Sequence, residues 1–232
     1  MAEDVDDSIG QLFKSLDDNG VRDNTYIIFT SDNGYHTWNA LESTLRGEKW
    51  WLWDGGLRVP FIMTGPGIVA GSHTPVNIIG YDILPTLADL AKAKGAVPAT
   101  VDGVSFKPAL FNQPIDDAYR NRPLYFHYPH YRVSPPCSVI ITGDKKLMHW
   151  YELPNERFLY DMKIDLGEKT NIAAQHREQT ELLYQTMMTK FDQVGAYFPK
   201  PNPDVPPSKI SYDPRNINAP LELAGEKDGK ED

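Results

Sequence analysis

Cysteine is almost absent from this 232-residue chain. Cys137 stands alone, which excludes an internal disulfide framework and leaves the compartment open. Long apolar runs are missing too: no stretch approaches the roughly 20 residues of a membrane-spanning helix. Nothing at the N-terminus reads as a signal peptide, an observation without content if Met1 is internal to a longer protein. Positive charge is scarce, with 23 basic against 32 acidic residues and a formal charge of −9. That balance argues against a nucleic-acid partner. An anionic substrate would have to be attracted locally, by a few placed cations. No internal repeat is visible. What is present is 41% apolar content, enough for a real core, in a length between one large domain and one and a half.

The organising stretch is residues 24–60. Tyr26 to Phe29 is a short apolar run of β-formers without polar alternation, the pattern of a parallel strand covered on both faces. Ligands of open α/β sheets bind just past the carboxyl ends of strands, where Ser31, Asp32 and Asn33 stand before Gly34. Asp32 and Asn33 offer a carboxylate and an amide carbonyl, hard oxygen donors suited to Ca²⁺ or Mg²⁺ and not to Zn²⁺. Two donors do not complete a site, and an Asx-turn is the plain alternative.

The longer pattern favours the metal. Asp23-Asn24-Thr25, Thr30-Ser31-Asp32-Asn33-Gly34, Leu45-Arg46-Gly47-Glu48-Lys49 and Asp54-Gly55-Gly56-Leu57-Arg58-Val59-Pro60 resemble, in order and spacing, the second signature region of the sulfatases. These belong to the alkaline phosphatase superfamily, and a looser likeness runs from Met1 to about Phe198. The resemblance implies that Asp32 and Asn33 are two Ca²⁺ ligands and that Lys49 is the cation contacting the substrate sulfate. Glu48 stands where a small residue is common, and Asp54 where Glu is frequent; both departures bear on the pocket wall. The family's nucleophile is a formylglycine made from Cys or Ser in Cys/Ser-x-Pro-x-Arg. These 232 residues contain no such motif, Cys137 having neither Pro nor Arg at the required offsets. The paired N-terminal Asp residues that complete the Ca²⁺ site also lack a counterpart. The chain therefore resembles the C-terminal half of a sulfatase and is expected to be inactive alone.

Helical spacing of Val5, Ile9, Leu12, Phe13 and Leu16 predicts an N-terminal helix stopped by Asn19-Gly20. His36 is a candidate general acid or sulfate contact; the competing reading is a solvated loop histidine. Trp38, Trp50, Trp51 and Trp53 crowd around Lys49, as packing or as a platform for sugar rings. Residues 59–63 read as a second strand, and Asp82 with Pro85 opens a helix. From about Arg120 the runs 124–131, 138–141, 146–151 and 157–160, parted by turn residues, predict four antiparallel strands. Asp165-Leu166-Gly167-Glu168 with Asn171 resembles the sulfatase turn leading into the last helix, predicted over 175–194. His127 and His130 lie in Tyr125-Phe126-His127-Tyr128-Pro129-His130-Tyr131. Three apart on a strand, they point to opposite faces; a similar run borders the substrate pocket of several sulfatases, implying saccharide contact. Otherwise they are strand-end histidines.

The expected fold class is α/β: part of an alkaline-phosphatase-like doubly wound sheet, then a small antiparallel-sheet α+β subdomain. The expected divisions are 1–118, 119–198 and a Pro-rich, partly disordered tail over 199–232. The expected activity of the parent is Ca²⁺-dependent hydrolysis of sulfate esters of a small molecule or saccharide. Two alternatives stand beside it: a non-catalytic fragment or partner-dependent domain, and a phosphate or phosphonate ester hydrolase. Expected partners are a missing N-terminal half, or a second copy through exposed strand edges. The family is often secreted, periplasmic or lysosomal.

Overall fold

The computed structural model describes residues 2–36, 43–93, 95, 97–131 and 133–200. Trp38 and the tail beyond residue 200 lie outside the described residues. In chain order the elements are α1 (Ala2–Asp18), β1 (Ile27–Thr30), α2 (Asp54–Leu57), β2 (Phe61–Thr64), α3 (Ile83–Leu90), α4 (Lys107–Leu110), α5 (Asp117–Arg120), β3 (Leu124–Tyr128), β4 (Cys137–Thr142), β5 (Lys145–Trp150), β6 (Phe158–Asp161) and α6 (Arg177–Gln193). They divide into two compact units, Met1–Asp32 with Pro60–Arg120, and Asn33–Val59 with Asn121–Asp232. Residues 33–59, which the sequence pattern groups with the first unit, leave it to pack with the second.

In the first unit, α1 ends where Gly20 takes φ +64°. The Gly20 amide donates to Asp17 O at 3.0 Å and the Val21 amide to Leu16 O at 3.1 Å. That paired closure needs a left-handed residue, which glycine supplies without a Cβ penalty. No residue of α1 is buried; Val5 and Leu12 are about half exposed. β1 pairs with β2 from Ile27↔Thr64 to Thr30↔Phe61, and the pairing is antiparallel. The expectation of a parallel strand covered on both faces is thus corrected: Phe29 and Ile62 are exposed. An unalternating apolar run also fits an antiparallel pair within a mixed sheet, and sequence periodicity does not separate the two. Asp82 is fully buried at the start of α3. Its carboxylate accepts the Ile79 amide at 3.0 Å and the Val104 amide at 2.9 Å. Thr86, one turn on, accepts the Phe106 amide at 3.0 Å. The Asp-Ile-Leu-Pro-Thr-Leu run is a staple for the 103–106 loop.

The second unit is built on an antiparallel sheet in the order β3-β4-β5-β6. The Gly143–Asp144 turn closes the β4–β5 hairpin, with Gly143 at φ +55°. Alternation along the strands sorts side chains to two covered faces. Cys137, Val139, Met148, Trp150, Phe158 and Tyr160 pack against Leu52 and Trp53 from the loop before α2. Ile140, Leu147 and Leu159 pack against Leu183, Met187 and Phe191 of α6. The approach to α6 is fixed by Asn171, whose Oδ1 accepts the amides of Leu159 and Ala173, both at 3.0 Å.

His149 is buried on the α6 face, beside the rings of Tyr151 and Tyr184 and 3.4 Å from an Arg157 nitrogen. Burial first, then the Arg157 charge, lowers its pKa to about 4. Above pH 6.5 the ring is neutral folded or unfolded. Between 6.5 and about 4 the unfolded chain binds a proton that the folded chain refuses, so stability falls as pH falls. The loss should total on the order of 3 kcal/mol across that window. Urea denaturation between pH 7 and 4 should show this slope, and His149→Phe should flatten it.

Candidate active-site loop

Asp32 lies exposed just past β1, and Asn33 is partly buried. The division between units falls between them, Asp32 closing one and Asn33 opening the other. Among the described residues no group of three or more His, Cys, Asp or Glu side chains is gathered where a metal ion could sit. Asp32 and Asn33 have the oxygen chemistry that Ca²⁺ takes, and further donors are needed to complete its coordination.

Lys49 sits in a tightly wound loop of the second unit and is partly buried. Its amide donates to Tyr35 O at 2.7 Å, and its Nζ lies 5.7 Å from the centre of a Trp50 ring. Trp50 takes φ +77°, a left-handed conformation that costs a non-glycine residue of order 1 kcal/mol or more. Its carbonyl accepts the Ser134 hydroxyl at 2.8 Å. His36 Nδ1 stands 3.5 Å from Glu48 Oε2, and its ring meets Trp50 edge-on at 5.2 Å. The structure thus brings Lys49, His36, Glu48 and Trp50 together.

The loop's shape depends on glycines at close backbone approaches. The Gly34 amide donates to Gly56 O at 2.9 Å, and the Gly55 amide to Arg46 O at 2.7 Å. A Cβ on Gly34 would lie 2.0 Å from Gly55 O, and one on Gly56 would lie 2.1 Å from Trp51 O. Arg46 stacks on Trp53 at 3.6 Å.

Beneath the loop is a cluster of charges that sequence reasoning missed. Lys146 is fully buried, with Nζ 2.8 Å from Asp54 Oδ1 and 2.7 Å from Glu168 Oε1. The Asp54 amide donates to Glu168 Oε2 at 2.8 Å, and Arg58 Nε donates to Asp54 Oδ2 at 2.6 Å. Arg46 Nη1 donates to the Glu168 carbonyl at 2.7 Å. Burial pushes the Glu168 carboxyl above its ordinary pKa, with Lys146 pulling the other way. The available signal was strand alternation, which sends Lys146 inward if Lys145 points out.

The other two candidate histidines, His127 and His130, have contacts of their own. His127 Nδ1 is 2.7 Å from Ser138 Oγ and Nε2 is 2.7 Å from Tyr197 O. Its ring packs on Phe191 at 4.7 Å. His130 follows the end of β3 and is exposed, its ring 4.1 Å from that of Tyr128.

Residues 1–93, which include Asp32, Asn33 and Lys49, match the family model described as Sulfatase. An N-acetylglucosamine-6-O-sulfatase of Bacteroides thetaiotaomicron is 33% identical over 196 residues, covering 78% of this chain and 33% of that protein. A sulfatase of Formosa agariphila is also 33% identical over 196 residues, covering 77% of this chain and 35% of its own length. A solved structure in complex with its substrate D-glucosamine-2-N,6-O-disulfate superposes with a TM-score of 0.66 at 32% identity. That superposition covers 82% of this chain and 39% of the other. The fold is the mixed α/β architecture of the alkaline-phosphatase-like hydrolases. The chain belongs to the sulfatase family. It spans about a third of the length of the curated relatives it matches.

Gly56→Ala tests the loop. The added methyl must displace the Trp51 carbonyl or the 48–51 turn, so destabilisation of about 3 kcal/mol is expected, with loss of protection at the Gly34 amide. Denaturant melts and amide hydrogen exchange measure the two effects.

Proposed function

We propose that this chain is the C-terminal portion of a sulfatase that hydrolyses sulfate esters of carbohydrates. The observation that carries this reading is the family match running across Asp32, Asn33 and Lys49, the last held in a fixed loop. Relatives named for N-acetylglucosamine 6-sulfate, and a neighbour bound to a disulfated glucosamine, favour a sulfated amino sugar. In this reading Lys49 pairs with the sulfuryl oxygens and offsets the charge that grows on them in the transition state, the electrostatic contribution that usually dominates. His36, oriented by Glu48 and Trp50, is the candidate to hold a proton for the departing alcohol. Asp32 and Asn33 would hold Ca²⁺ together with donors from elsewhere, the ion supplying Lewis-acid charge beside the sulfate. The formylglycine nucleophile would come from a segment that these 232 residues do not contain, so the chain by itself should not turn over. With that segment supplied, covalently or as a second polypeptide, Lys49→Ala should lower kcat/KM for sulfate release by about 10²–10³-fold. A loss under about threefold, against that scale, would remove Lys49 from the reaction.

A second reading, a partner-dependent domain, has its own observation. Among the described residues β1 and β2 pair only with each other, leaving their outer edges open, and Val5, Leu12, Phe29 and Ile62 are exposed. Open edges flanked by apolar side chains invite pairing with another chain. The isolated protein should therefore form species larger than its 26.2 kDa mass in light scattering. A clean monomer at high concentration would count against this.

A further inference from the structure

The cluster beneath the loop has more charge than packing requires. Lys146, Asp54 and Glu168 are all buried, and their contacts join β5 to the loop that carries Lys49 and to the turn at 165–168. Asp54 Oδ2 goes to Arg58 and the Asp54 amide to Glu168, so the C-terminal side of the loop is fixed. The Glu168 carbonyl takes Arg46, which fixes the N-terminal side. Glu168 itself stands at φ +50°, turned so that carboxylate and carbonyl serve the two sides together. Between these anchors Gly55 N–H bonds Arg46 O and Trp51 N–H bonds Glu48 O at 3.0 Å. Lys49 lies between these anchors in sequence, with its own amide on Tyr35 O.

Stability alone is a poor account of such a cluster. A buried ion pair replaced by apolar groups of similar volume is often neutral or stabilising, while the directional contacts that fix one backbone register are lost. We propose that Lys146 and Glu168 are positioning residues for Lys49: their buried pairing with Asp54 holds the 46–58 loop in the one register that presents the Lys49 ammonium to an anion. Anion binding at Lys49 is thereby tied to a strand and a turn about a hundred residues downstream. The proposal rests on the reading that Lys49 contacts the sulfate.

The test uses the 232-residue chain and two readouts. The first is position: the NMR shift of the Lys49 side-chain end, whose Nζ lies 5.7 Å from the centre of a Trp50 ring and so feels its ring current. The second is binding of inorganic sulfate, followed by tryptophan fluorescence. The double variant Lys146→Met/Glu168→Leu removes one buried cation and one buried anion together and leaves Asp54 paired with Arg58. The expected result is an unchanged circular dichroism spectrum and unfolding midpoint, loss of the Lys49 ring-current shift, and sulfate binding weaker by between about tenfold and a hundredfold. A retained shift in the folded double variant overturns the proposal, because a merely structural cluster would leave Lys49 in place. If the double variant does not fold, Glu168→Gln, which keeps the shape and the acceptor for the Asp54 amide, is read by the same shift with the same two outcomes. Lys49→Ala separates the two claims. If it binds sulfate as the parent does, the sulfate role of Lys49 falls, while a shift lost in the cluster variant still supports the positioning.

Discussion

The second unit depends on one lysine that cannot reach water. Burying an ammonium costs several kcal/mol, and the cost is offset only where carboxylates of good geometry surround it. Lys146 finds two, from Asp54 and Glu168, which arrive from opposite sides in sequence. Each carboxylate has a second partner: Arg58 for Asp54, the Asp54 amide for Glu168. No charge in the group is left on its own. Burial still raises the Glu168 carboxyl above its ordinary range, so Lys146's attraction does not fully cancel the desolvation. The geometry that results is demanding: moving the loop, the strand or the turn leaves a charge uncompensated in a dry interior.

The rest of that unit follows. Anchored by the cluster, the loop before α2 can lay Leu52 and Trp53 against Met148, Trp150 and Tyr160, covering one face of the sheet. The other face is closed by α6 through Leu183, Met187 and Phe191. His127 extends this closure by holding the Tyr197 carbonyl beyond the helix. Both ring nitrogens of His127 thus have partners within its own unit, Ser138 and the Tyr197 carbonyl. The first unit differs in kind. Its internal order comes from the α1 stop at Gly20, the β1–β2 pair and the Asp82 staple to the 103–106 loop, with few apolar side chains buried. A two-stranded sheet on its own is marginal in water, and exposed Phe29 and Ile62 are consistent with that.

Sequence disclosed what local rules control. The four short strands, the hairpin at Gly143, the final helix and the stop at Gly20 all follow from turn chemistry and periodicity, which act within a few residues. Asp82 and Pro85 announced α3 for the same reason. What stayed hidden was decided at long range. The direction of β1 depends on which strand lies beside it, and an apolar run carries no record of that. Lys146 reads as a surface residue of a tight turn until Asp54 and Glu168, 92 residues before it and 22 after, are brought to its amine. The excursion of residues 33–59 into the second unit depends on the same contacts. At Gly34, Gly55 and Gly56 the motif was plain, but its cause, backbone atoms packed where a Cβ would fall near 2 Å, appears only in three dimensions.

One tension in the composition is resolved by the same cluster. A chain of formal charge −9 is a poor collector of anions if its charge is taken as a whole. Salt screens exposed charges beyond roughly 8 Å, so the total says little about a single loop. Around Lys49's anchors the local count is different: Arg46, Arg58 and Lys146 stand with Glu48, Asp54 and Glu168, three cations and three anions. The scaffold around the loop is thus balanced in charge, not acidic. An anion at Lys49 therefore meets a local balance of charge and not the excess of acid in the chain as a whole. Without Lys146, Asp54 would keep Arg58, while Glu168 would keep only the Asp54 amide and stand as a buried carboxylate with no cation on it.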